Sequence, residues 1–283
     1  MFKKSPLKSQ KLVVRRRKIL IAKLISAFIV IAGIVFSLAW LSRLDLLKIN
    51  VIEVKGNETL DAAEIQEIVL DTTAGAYANL FSKSNIFIYP KKNIVKAISS
   101  SFKRVNTLEI SSSGLHKIKI TITERKPSYT WCTGTPQVQT KTCYFIDSRG
   151  YVFSEAPTFS GHVYFSFYGN MPPGDPVGSY FIDEGRFKNL DRIIAMLENN
   201  GIDPYALQVK DNGVYDVYLN KGGRILFKEG QNISVLGSNI KSLIDQSDIF
   251  GKKLPYIDYV DMRFGSKVFY KLKEGDNADE LKL

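Results

Sequence analysis

Few residues in this chain are able to do covalent or metal chemistry. There are two histidines, His116 and His162, and two cysteines, Cys132 and Cys143. A histidine activates a serine or cysteine only where the fold brings the two within hydrogen-bond reach. No Gly-x-Ser-x-Gly elbow, phosphate loop, His-Glu-x-x-His or Cys-x-x-Cys marks such a place. His116 stands beside a strand-like run and His162 in an irregular stretch, so both read as surface or packing residues. Ten residues separate the cysteines, with no histidine or second cysteine pair nearby, which argues against a metal site. Asp258 and Asp261 are close in sequence, but strand residues three apart point to opposite faces. They read as solvated or turn-bonding acids. The expectation is no catalytic residue, no metal, no cofactor and no enzyme.

The elements that position these residues follow from periodicity. Residues 49–55 alternate and read as a strand closed by Gly56-Asn57. Asp61 is an N-cap, with Glu64 completing a capping box for a helix carrying Ile65, Ile68 and Val69 on one face. Residues 71–85 read as a loop, and Pro90 opens a second helix with Ile94, Val95 and Ile98 as its apolar face. A strand over 104–110 turns at 111–114 into the clearest pattern of the chain. There Ile118, Ile120 and Ile122 alternate with polar residues, a half-buried strand of period two.

A second β-rich part follows. Strand-like residues flank Cys132 and Cys143, so a bridge would staple the two legs of a hairpin; two unpaired thiols are the alternative. Asp147-Ser148-Arg149-Gly150 turns another hairpin. Residues 154–180 read as a long irregular crossing. A helix spans 183–198 with Phe187, Leu190, Ile194 and Leu197 on one stripe, stopped by Gly201. Strands are expected over 206–210, 214–219 and 224–227, a helix over 233–249, and a last pair of strands over 256–264 and 267–271. The fold class is α+β.

Residues 24–41 are apolar, uncharged and long enough to span about 27 Å as a helix, close to a bilayer core. Residues 1–23 carry nine Lys/Arg and no acid. The positive-inside rule then puts residue 1 in the cytoplasm and everything after residue 41 outside it. The stretch is longer than a signal-peptide core and lacks a small-x-small cleavage site, so an uncleaved anchor is expected. The formal charge of +11 comes mostly from this arm. Without its nine, the 39 basic residues become 30 against 28 acids, or +2. So near-neutral an outer part has no electrostatic footprint for nucleic acid.

These residues resemble the bacterial cell-division protein family FtsQ/DivIB. The basic arm and anchor are followed by Val54-Lys55-Gly56-Asn57 and the stretch 59–65, which look like the start of a POTRA domain. Residues 118–127 are similar to the family's strand ending in Glu-Arg-x-Pro, here Glu124-Arg125-Lys126-Pro127. Residues 144–153 resemble its Asp-x-x-Gly hairpin, and residues 257–270 its final strands. The resemblance implies a basic arm (1–23), a transmembrane helix (24–41), a POTRA-like β-α-α-β-β domain (48–126), a mixed β domain with two helices (127–272) and a polar tail (273–283). It further implies a non-enzymatic scaffold of the division machinery at the septum. Its partners would be small single-span coiled-coil proteins like FtsB and FtsL.

A terminal strand often ends a sheet, where unpaired backbone groups accept a partner strand. The expected partner-binding residues are Val268, Phe269 and Tyr270 on that strand, with Tyr256, Tyr259 and Phe264 nearby. The competing reading is that these aromatics pack the sheet. Two other functions fit less well. A POTRA-bearing translocation protein usually continues into a β-barrel, for which the residues after Pro127 hold too few alternating segments. An anchored extracytoplasmic enzyme would need His116 or His162.

Overall fold

The apolar run folds as the first helix, α1 (Gln10–Ser42), in a computed structural model that describes residues 10–137, 142–171, 174–246 and 256–273. Within it Val14–Ser42 is long and apolar enough to cross a membrane. Residues 1–9 of the basic arm, the tail from 274 and the last turn of the helix expected over 233–249 lie outside the described residues. The chain is α+β and divides into two compact units, Met1–Glu124 and Arg125–Leu283.

In the first unit α1 leads through a short turn, Asp45–Leu47, into β1 (Val51–Lys55), α2 (Ala62–Thr73), β2 (Ala76–Tyr77), β3 (Phe81–Ser82), α3 (Lys91–Ser101), β4 (Val105–Ser112) and β5 (Lys117–Glu124). The sheet order is β1-β5-β4. β1 runs parallel to β5, and β4 antiparallel to it. A parallel pair needs a long crossover, which the two helices and β4 supply. The period-two pattern works as its chemistry requires. Ile118, Ile120 and Ile122 are buried against Ile65, Val69, Ile94 and Ile98 of the helices.

Glu124 continues that inward row and is 7 % exposed. Its Oε1 accepts from the backbone N–H groups of Glu58, Thr59 and Leu60 at 2.7, 2.8 and 2.9 Å. Three donors on one oxygen offset the burial of this charge, while Oε2 is buried without a hydrogen-bond partner. Gly56 makes the turn possible: its φ is +80°, and a Cβ there would lie 2.2 Å from Ile122 O. Asp61 caps α2 by accepting from Ala63 N at 2.9 Å.

The stretch 71–85, expected as a loop, contains the hairpin β2–β3. Its turn residues Ala78 and Asn79 both take positive φ, 48° and 57°. Such a turn is ordinarily announced by glycine, and here it is not.

The second unit contains β6 (Tyr129–Cys132), β7 (Cys143–Ile146), β8 (Val152–Ala156), β9 (Ser166–Tyr168), α4 (Glu184–Asn199), β10 (Pro204–Val209), β11 (Val214–Leu219), β12 (Arg224–Lys228), α5 (Ile233–Gln246), β13 (Ile257–Phe264) and β14 (Lys267–Leu272). They form one mixed sheet in the order β14-β13-β12-β11-β10-β9-β6-β7-β8. The helices cover one face. Phe187, Leu190, Ile194 and Leu197 of α4 and Leu236 and Ile240 of α5 pack on Trp131, Phe167, Val217, Phe227, Val260 and Met262.

Residues 154–180, expected as irregular, include β9. This three-residue strand sits in the middle of the sheet, parallel to β6 on one side and β10 on the other.

Candidate functional site

β14 ends the sheet. It pairs with β13 through Tyr259↔Lys271, Val260↔Tyr270, Asp261↔Phe269 and Phe264↔Lys267, and with no other described strand. Two bulges interrupt the ladder, and their extra residues lie on β13, so β14 itself alternates regularly. Lys273 N donates to Tyr256 O at 2.9 Å. That contact sets the phase. The N–H and C=O of Phe269 and Lys271 face β13, while those of Val268, Tyr270 and Leu272 face outward.

The six residues expected to bind a partner fall on both sides of this edge. Val260 belongs to the helix-side core, so its partner Tyr270 lies on that side with Val268. Phe269, opposite Asp261, and Tyr259 lie on the other side. Phe264, from the bulged end of β13, meets Phe269 edge to face. Tyr256 stands exposed just before β13. Phe264, Phe269 and Tyr270 are each half exposed or more, at 58 %, 52 % and 50 %. Val268 and Tyr259 are partly covered, Val268 by the core and Tyr259 with the Arg224 guanidinium 5.9 Å over its ring.

Behind the edge lies a charged network that sequence reasoning missed. Asp216 on β11 is fully buried. Its Oδ2 accepts from Lys210 Nζ at 2.6 Å and from Arg224 Nη1 at 3.4 Å, while Oδ1 has no partner. Arg224 Nη2 lies 3.7 Å from Asp258 Oδ1. Of the expected solvated or turn-bonding acids, Asp261 is the turn-bonding kind: its Oδ1 accepts from Arg263 N at 3.1 Å. It is buried, and Arg263 grips it with both sides of its guanidinium, Nε to Oδ1 at 2.8 Å and Nη2 to Oδ2 at 2.6 Å. Those hydrogen bonds outweigh burial and hold the carboxyl below its ordinary range. A bulge at this point turns Arg263 back onto Asp261 two residues away. The available signal for Asp216 was a lone charge within an otherwise uncharged strand, Val214-Tyr215-Asp216-Val217-Tyr218-Leu219.

Of the four chemistry-bearing residues, His162, Cys132 and Cys143 line one open groove, and His116 stands apart. His116 is exposed just before β5. His162 lies with its ring 3.9 Å from that of Tyr205 and lines that groove, of about 730 Å³, with Thr130, Phe159 and Tyr168. Cys132 and Cys143 pair directly across β6 and β7 and are joined by a disulfide. Among the described residues no group of three or more His, Cys, Asp or Glu could hold a metal ion.

Two motif regions of the second unit do meet. Arg125 Nη1 donates to Asp147 Oδ2, and the Arg125 guanidinium lies 4.2 Å over the Tyr151 ring. Asp147 Oδ1 in turn accepts from Arg149 N and Tyr151 N, at 2.9 and 3.0 Å, and closes the hairpin turn. Comparison of the chain with protein-family models and with curated proteins finds no match.

Proposed function

We propose that this chain is a membrane-anchored, non-enzymatic scaffold of the bacterial division machinery, of the FtsQ/DivIB kind. In this reading its first unit is a POTRA-like domain. Its second unit binds small single-span coiled-coil partners resembling FtsB and FtsL. Orientation follows the positive-inside rule, with the nine basic residues of the arm in the cytoplasm and both units outside it.

The observation that carries the reading is the β14 edge. Val268, Tyr270 and Leu272 turn their backbone groups outward from the last strand, and Phe264, Phe269 and Tyr270 stand exposed around it. A partner segment added there would gain main-chain hydrogen bonds along β14 and side-chain contacts on both faces. The chain order supports the same reading: a β-α-α-β-β unit, with an added hairpin, follows the apolar helix, and Arg125 and Asp147 from two family-like motifs engage each other.

Two experiments test it. A fluorescent fusion is expected at midcell, with filamentous cells on depletion; uniform membrane fluorescence and normal division would refute the reading. Tyr270→Pro removes an outward donor without touching the β13 ladder. It is expected to abolish co-purification of the partners from a folded chain, and unchanged capture would remove β14 as the binding edge.

A further inference from the structure

The described part of α1 is exposed all round except at its last turn, where Ala39 and Ser42 are buried. What covers them is fixed by hydrogen bonds. Asn85 Nδ2 donates to Ser42 O at 3.1 Å, and Ser82 N to Ser42 Oγ at 3.3 Å. Arg43 Nε donates to Leu80 O at 3.1 Å and Nη2 to Asn79 O at 2.7 Å. Ile86 N donates to Leu47 O at 2.9 Å. The helix end, the β2–β3 hairpin and the segment 85–88 are therefore locked side by side within the first unit.

This lock sets a depth. Leu38 and Leu41 of α1 share one groove of about 300 Å³ with Leu47, Phe81, Phe87 and Ile88. Its two polar residues, Ser42 and Asn85, are hydrogen-bonded to each other. The uncharged stretch of the helix runs to Ser42, and Arg43 is the first charge after Lys23. When that stretch fills the hydrocarbon core, Leu38 and Leu41 lie at its outer boundary. Phe87 and Ile88, beside them, lie at the same level. A segment held there must be apolar, and it is: Phe87 is 71 % exposed and Ile88 39 %.

We infer that Phe87 and Ile88 are immersed in the outer leaflet, forming with the hairpin a lipid-facing shoulder beside the span. The occupant is lipid because the groove continues the exposed surface of α1, which a bilayer already covers. The neighbouring groups suit the interface. Tyr77 on the hairpin is amphipathic, with Lys83 Nζ 5.8 Å over its ring, and Arg43 stands at the end of the span. One helix alone leaves a domain free to swivel. A second contact fixes which side of the first unit faces the membrane.

The inference rests on α1 spanning the bilayer, and its test separates the two. The two native cysteines are bridged, so one introduced thiol can be labelled alone. The full chain carrying an environment-sensitive fluorophore at Ile88→Cys is placed in phosphatidylcholine–phosphatidylglycerol vesicles. The same is done for Phe28→Cys, in the inner half of the span. Nitroxide lipids are expected to quench both labels severalfold, the Ile88 position by headgroup-proximal nitroxide, with protection from aqueous iodide. An Ile88 label open to iodide, with the Phe28 label lipid-quenched, overturns the shoulder and leaves the anchor. A Phe28 label untouched by lipid quencher overturns both. An Ile88 label shielded from lipid and iodide alike places a second copy on the groove and also overturns the inference.

Discussion

The rings of Phe264 and Phe269 meet edge to face across the last hairpin of the sheet, centroids 5.5 Å apart and planes at 89°. Both remain more than half exposed. An exposed aromatic pair contributes about 1 kcal/mol beyond its buried area. Yet it presents a large apolar surface at the edge where a partner strand would dock. Phe264→Ala and Phe269→Ala are each expected to cost no more than about 1 kcal/mol in urea unfolding. Partner affinity, read by titration on immobilised chain, should fall tenfold or more for each, as for an interface anchor. A loss of stability matching the loss of affinity would mean that the pair packs the sheet instead.

The outward phase of β14 makes a sharper contrast. Tyr270→Pro removes a donor that faces away from β13, whereas Phe269→Pro removes one that faces it. Proline is tolerated at the first kind of position and breaks the ladder at the second. Phe269→Pro is expected to destabilise the second unit by about 2–3 kcal/mol, from the lost ladder bond and the proline backbone together. Tyr270→Pro should stay within about 1 kcal/mol of the parent while abolishing capture. Circular dichroism melts of both variants decide the phase.

The sequence was most legible where one face of an element is buried and the other wet. Ile118, Ile120 and Ile122 on β5, and Phe187, Leu190, Ile194 and Leu197 on α4, show their periods because burial selects them. β9 was illegible for the opposite reason. Flanked by β6 and β10, its Phe167 and Tyr168 are both buried on opposite faces, so no alternation survives. The β2–β3 turn hid because Ala78 and Asn79 adopt a left-handed backbone without glycine. At the candidate edge the aromatics were readable, but the phase was not. It is set by the Lys273–Tyr256 hydrogen bond and the pairing with β13, which the residues of β14 alone do not show. The guanidinium grip on Asp261 was equally hidden, because Arg263 reaches it through a bulge in β13.

Glu124 makes the first unit acid-sensitive. Burial raises its pKa, but the hydrogen bonds from Leu60, Thr59 and Glu58 together hold it below the ordinary 4.5. A depressed folded value means that the stabilisation is complete above about 4.5 and is lost as pH falls toward the folded value. Glu124→Gln is expected to cost about 2 kcal/mol at neutral pH. It should also flatten the acid limb of stability against pH in urea titrations. Glu53, drawn down to about 2 by hydrogen bonds from Lys117 and Lys55, acts in the same direction. It lies at the surface, where salt screens it, so the comparison belongs at high ionic strength.

Gly150 is the position least able to change in the Asp147 hairpin. Its φ is +81°, and a Cβ would lie 2.8 Å from Cγ of Phe187, a buried residue of α4. Gly150→Ala is expected to cost about 3 kcal/mol, from the left-handed backbone and the displaced ring together. Gly201 also has positive φ, +74°, with open space around it. Gly201→Ala should therefore cost about 1 kcal/mol. Similar losses for the two in thermal melts would exclude the Phe187 contact as the cause.

The Cys132–Cys143 bridge tests stability and topology together. It joins residues already paired across β6 and β7, with a sequence separation of 11. Closing so short a loop stabilises by about 3 kcal/mol through the unfolded chain. β6 also pairs with β9, so reduction removes the staple but not the strand's place in the sheet. Reduced protein is expected to stay folded and to melt roughly 6–12 °C lower, since 1 kcal/mol moves a unit of this size by about 2–4 °C. Such a bridge persists outside the reducing cytoplasm. In intact cells quenched with a maleimide, both cysteines should therefore resist alkylation until a reductant is added. Free thiols in untreated cells would contradict the orientation drawn from the basic arm, because the second unit would then face the cytoplasm.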